Sequence, residues 1–148
     1  MKKSDCMVYV TCPGERPPFG VVPVFLWGHE CDFDSDGDAL DWKSGSWTEL
    51  FVSLRGGSDA EFVEINLHQE SPLVLAICSP NSELVYRAAY ILAHYSGGKV
   101  KRGEQGVYGN AEDFANNLGK DFDLGTAIIQ FNEAVTKYLP NNDESNNQ

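Results

Sequence analysis

The chain has 148 residues, 42% of them hydrophobic and 11% aromatic, and a formal charge of −11 from 22 acidic and 11 basic residues. That length and apolar content suffice for a core without metal or disulfide staples, and exclude a disordered chain. No apolar run reaches the length of a membrane span, and the negative balance argues against nucleic acid and anionic membrane as partners.

The first residues, MKKSDCMVYVTCP, hold two lysines but no apolar stretch of leader-peptide length, which predicts a cytoplasmic protein. Cys6, Cys12, Cys31 and Cys78 are then expected as reduced thiols. Cys6–Cys12, rich in β-branched and aromatic residues, reads as a first strand. PGERPPFG reads as a rigid irregular loop, and Gly20–Trp27 as a second strand with Pro23 at an edge or bulge. GHECDFDSDGDALDWKSGS has the composition of a long loop. Residues 47–55, 61–68 and 72–78 follow at hairpin spacing. Leu50, Val52 and Leu54 share one face, and Val63, Ile65 and Leu67 another, so these segments predict an antiparallel meander. Gly56-Gly57-Ser58-Asp59 and Gln69-Glu70-Ser71 supply its turns.

The chain is organised around residues 72–98. Leu73–Cys78 is a buried strand by its unbroken apolar run. Ser79 is placed to cap a helix over 80–96, with Pro80 at its first position. Leu84, Ala88, Ile91 and Tyr95, widened by Val85 and Leu92, form the stripe that lies on the sheet, worth roughly 6–12 kcal/mol gross. Glu83 and Arg87 are spaced for a surface pair, and Gly97-Gly98 is the stop. Tyr86, Tyr90 and His94 fall on the opposite face, a stripe that by period is most often surface, sometimes packed under a loop and occasionally a binding face. Lys99–Arg102 reads as a short edge strand guarded by lysine. Asn110 caps a short helix AEDFANNL, and Asp123 caps a final helix with Ala127, Ile128, Phe131, Val135 and Tyr138 on one side and Pro140 as its stop. Residues 141–148, NNDESNNQ, read as a disordered tail. Strands first and helices after predict an α+β fold: one domain over 1–140, with an antiparallel sheet of about five strands, the meander 47–78 at its centre, the 80–96 helix on one face and a C-terminal helix.

Chemistry concentrates in the acidic loop, where Glu30, Asp32, Asp34, Asp36, Asp38 and Asp41 lie with no base among them. Three readings fit. The loop is a solvated acidic surface; or Asp32-x-Asp34-x-Asp36-Gly37 binds calcium, although Lys43 stands where an EF-hand needs its last carboxylate; or it docks a basic protein. Trp27, Phe33, Trp42 and Trp47 interrupt or flank the acids as interface anchors would, at least two of them serving instead as core. Cys6, Cys12, His29 and Cys31 lack a zinc-site spacing, and Cys78 reads as a buried small hydrophobe. G-x-S-x-G, H-E-x-x-H and phosphate-loop motifs are missing, so neither enzyme nor cofactor nor metal is expected. A small enzyme with a site scattered along the chain stays open as an alternative.

The stretch LVLAICSPNSELVYRAAYILAHYSGGKV resembles segments of immunity proteins of bacterial toxin systems, including contact-dependent inhibition and secretion-delivered toxins. That resemblance implies function by occlusion: binding a cognate toxin, often a nuclease with a basic cleft, and blocking it. Glu30, Asp32, Asp34, Asp36, Asp38, Asp41 and Trp42 would then be the contact residues, the carboxylates standing in for phosphates.

Overall fold

A computed structural model describes residues 6–139; the expected tail at 141–148 and the side chain of Cys6 lie outside that description. The fold is α+β. Its antiparallel sheet has six strands among the described residues: β1 (Cys6–Thr11), β2 (Phe33–Gly37), β3 (Leu50–Leu54), β4 (Phe62–Glu70), β5 (Leu73–Ser79) and β6 (Val100–Arg102), in the order β2-β3-β4-β5-β1-β6. Among the described residues three α-helices, α1 (Val22–Trp27), α2 (Ser82–Ser96) and α3 (Leu124–Tyr138), pack with two 3-10 segments, Phe19–Val21 and Ala111–Asn117. The β3–β4–β5 meander stands where the alternation puts it, with Val52, Val63, Ile65, Leu75 and Ile77 at or near zero exposure on its inner face.

α2 begins at Ser82, capped by the Asn81 side chain, which accepts from the Glu83 amide at 3.1 Å. The expected cap, Ser79, instead finishes β5 opposite Cys6, because the residue before a proline is biased to extended backbone. Gly97 ends the helix in the left-handed region, at φ 77°. A Cβ on Gly98 would meet the Thr11 carbonyl oxygen at 1.7 Å, so only glycine lets the chain pass β1 there. Leu84, Ala88 and Ile91 face the sheet as the stripe predicts.

The outer stripe of α2 is not surface. Tyr86 and Tyr90 are buried, Tyr86 stacked on Phe114 of the second 3-10 segment and Tyr90 on Phe25 of α1. A tyrosine reads as surface because of its hydroxyl, but a hydroxyl given a partner can be covered. Arg102 supplies that partner, donating from Nε to the Tyr86 hydroxyl at 2.7 Å. His94 alone of the three is exposed.

Two further stretches depart from expectation. Gly20–Trp27 is helical rather than extended. Val22, Phe25 and Leu26 recur at three and four residues and all are buried, while Pro23 falls in the first turn, where no amide is needed. The acidic loop holds a strand, β2, at one edge of the sheet. Phe33, Ser35 and Gly37 stand opposite the inward-facing Leu54, Val52 and Leu50, which sends Asp34 and Asp36 to the other face. Across the molecule, the β6 edge is covered at Val100, whose backbone groups exchange two hydrogen bonds with Gly109, at 2.9 and 2.8 Å.

Candidate functional site

The helices pack against one face of the sheet, so the other is open. Cross-strand register lays its side chains in rows. One runs Asp36, Phe51, Glu64, Cys78, Met7; a second Asp34, Ser53, Phe62; a third Asn66, Ala76, Tyr9, Lys101. The face is therefore acidic at the β2 end, apolar in the middle and basic at β6. Its β6 end is filled by its own side chains. Tyr9 is buried under His68, ring centroids 4.5 Å apart, with Lys101 Nζ 5.3 Å from its ring and its hydroxyl donating to Glu104 at 3.2 Å. Burial, then Glu104, push the Tyr9 pKa up.

At the acidic end the side chains leave a depression of about 260 Å³, lined by Asp36, Asp38, Glu49, Phe51, Glu64 and Asn66. Phe51 is 38% exposed and leans on Phe62, centroids 5.5 Å apart. An exposed aromatic ring bordered by carboxylates combines an apolar anchor with steering charge. Sequence reasoning missed Phe51, Phe62, Glu49 and Glu64, although the signal was present. Once Leu50, Val52 and Val63, Ile65 point inward, Phe51, Phe62 and Glu64 must point out.

The six expected carboxylates are not one cluster. Arg55, at the end of β3, lies 3.1 Å from Asp32 and also pairs with Asp34. Hydrogen bonding from Arg55 is the main cause that holds the Asp34 carboxyl below the usual range. Asp38 is a structural acceptor: Oδ1 takes the amides of Thr48 at 2.9 Å and Glu49 at 3.0 Å, and Oδ2 the Thr48 hydroxyl at 2.8 Å. Burial raises its pKa, but those amides and the hydroxyl together outweigh it and the net shift is downward. Asp41 accepts the Lys43 amide in a turn, and Glu30 sits by His29 at 3.6 Å. Of the six, Asp36 and Asp38 line the depression with Glu49 and Glu64 around Phe51, Asp38 with both oxygens already engaged, and Asp34 stands beside Asp36 on β2.

Calcium coordination by alternate oxygens needs a curled loop, and Asp34 and Asp36 lie instead along a strand. Among the described residues no three His, Cys, Asp or Glu side chains gather as a metal-binding group. Cys12 is buried while Cys31 sits half-buried by α1, its sulfur 3.6 Å from the Pro23 carbonyl oxygen. Cys78 is half-buried on the open face rather than in the core.

Of the aromatics, Trp47 is in the core and Trp27 packs against it, donating to Glu61 at 2.8 Å. Trp42 is 49% exposed but lies on the helix side of the molecule, edge-on to Tyr138 at 4.9 Å, away from the carboxylate face. No protein-family model matches the chain, and no curated protein or solved structure matches it either. Another depression, of about 430 Å³ between α1 and α3, is bordered by Arg87. That guanidinium is already spent on the carbonyls of Leu118 and Leu26, at 2.8 and 3.1 Å, and stacks over Phe122 at 4.3 Å. Its role is to tie helices together. Among the described residues no helix is long and apolar enough to cross a membrane.

Proposed function

We propose that this chain is a cytoplasmic immunity protein, which binds a basic toxin of the nuclease class and occludes its cleft with the acidic end of the open sheet face. The observation that carries this reading is Phe51, exposed and bordered by Asp36, Glu49 and Glu64 on a face that no helix covers. An anchor ring inside a field of like charge suits a partner with a basic rim and an apolar floor. The net charge of −11 draws such a partner in from a distance. Asp34 and Asp36, spaced along a strand, offer acceptors where a nucleic acid would offer phosphates.

The test is protection. Cells making a cognate toxin survive when the chain is present. The triple variant Phe51→Ala, Asp36→Asn, Glu64→Gln alters only exposed side chains, so it folds as the parent does. It associates at least tenfold more slowly at low salt and fails to protect. Full protection by that variant would sink the assignment to this face.

A further inference from the structure

The two edges of the sheet differ. Arg55 donates its amide to the Asp32 carbonyl at 2.9 Å, and Asp38 its amide to the Glu49 carbonyl at 3.2 Å. These two bonds fix the phase of the β2–β3 ladder: Asp34 and Asp36 turn their backbone groups toward β3, while Phe33, Ser35 and Gly37 turn theirs outward. The Gly37 amide is taken by the Asp36 side chain at 2.9 Å. Phe33 and Ser35 present amide and carbonyl outward with no partner among the described residues, next to one another in phase for a further strand. Beside them on the helix side run two depressions, about 230 Å³ at Phe19, Ser35 and Ala39, and about 270 Å³ at Gly20, Phe33 and Tyr138. On the other side of the strand stand Asp34, paired with Arg55, and Asp36.

We propose that β2 is a docking edge: an extended segment of a basic partner protein, about five residues long, adds to the sheet as a seventh strand. Its side chains alternate, bases facing Asp34 and Asp36, apolar groups entering the depressions by Phe33 and Ser35. Charge excludes the competing occupants. A second copy pairing through β2 would set Asp34 and Asp36 against the same carboxylates. Residues after Leu139 carry Asp143 and Glu144 and no base. The inference rests on the inhibitor reading for its basic partner and adds the means of attachment.

The probe is a synthetic hexapeptide of alternating lysine and valine, with a blocked-order peptide of equal composition and an alternating glutamate–valine peptide as controls. Amide exchange of the intact chain is followed by NMR. The alternating basic peptide slows exchange at Phe33 and Ser35 at least fivefold, and the controls bind at least tenfold more weakly. Ser35→Pro removes an outward amide without touching the β3 ladder, so the variant keeps its fold and loses the peptide at least tenfold. Equal binding of the blocked-order peptide, or full binding by Ser35→Pro, would overturn the proposal. So would protection of Phe33 and Ser35 in the isolated chain, or dimers that Ser35→Pro dissolves, since the edge would then be occupied by this chain itself. Should Ser35→Pro unfold, exchange on the parent decides alone. A toxin neutralised with no change at Phe33 and Ser35 overturns the edge and leaves the inhibitor reading standing. Peptide capture at the edge by a chain that protects no cell does the reverse.

Discussion

Arg16 and Trp47 lock two irregular segments to each other in both directions. Arg16 Nε donates to the Trp47 carbonyl at 2.8 Å, and Trp47 Nε1 donates to the carbonyl of Pro17, the next residue along, at 2.8 Å. Both side chains are buried, and Arg16 also reaches the Gly14 carbonyl at 3.2 Å. The proline-rich loop and the loop before β3 thus fold as one unit. Arg16→Met keeps the aliphatic stem but leaves two carbonyls without their donor. It should cost about 2–3 kcal/mol in urea unfolding. A loss below about 0.5 kcal/mol would mean that water replaces the guanidinium there.

Ile91 is fully buried between α2 and the sheet. Ile91→Asp places an unpaired carboxylate in that contact and should destabilise the protein by several kcal/mol. Thermal melting measures it directly, and an unchanged midpoint would contradict the packing of α2 on the sheet.

Asp38 makes its contribution as a charged acceptor. Its folded pKa lies below the unfolded value, so the stabilisation is present above the unfolded value and drains as pH falls through the folded one. At neutral pH, Asp38→Ala should cost about 1 kcal/mol, a modest figure because the site is open to solvent. Below about pH 4 the gap between parent and variant should narrow. Urea titrations at neutral and acid pH compare the two, and a constant gap would deny the carboxylate its charge-dependent role.

Arg55 holds Asp32 and Asp34 on the surface, where ion pairs add little to folding. Arg55→Ala should leave the melting temperature nearly unchanged. The Asp34 carboxyl should move back up toward its ordinary titration range, because the hydrogen bond that lowers it is gone. Carbon-detected NMR titration reads that shift. Association with a basic partner should quicken at low salt, since two carboxylates lose their counter-ion, and the gain should vanish in high salt. A rate indifferent to salt would place the contact elsewhere.

Periodicity made the meander and both long helices legible, because their buried stripes repeat over several turns or strand steps. β2 was not legible. Its inward residues are Phe33, Ser35 and Gly37, too polar to register as a strand face, and its outward aspartates look like a loop until Arg55 is brought beside them from the next strand. Val22–Trp27 satisfies both periods, four of its six residues being β-branched or aromatic, and only the presence of Phe131 and Tyr90 against Phe25 decides for the helix. Of the acidic site, the charge could be read and the aromatic centre could not. Phe51 counts as core by type, and its exposure follows only from the facing of its neighbours Leu50 and Val52.

The closure of Val100 by Gly109 sets a limit on stoichiometry. A sheet with two open edges can grow at both ends, each added unit offering the next a place, and so run on into a fibre. Among the described residues this sheet is met at Val100 on one side and open along β2 on the other. Whatever adds a strand at β2 meets a terminus, not a template, because nothing can be passed through the molecule and offered again at β6. Strand addition at β2, as proposed above, would therefore halt after a single step, and concentration would change how much of the pair forms rather than its size.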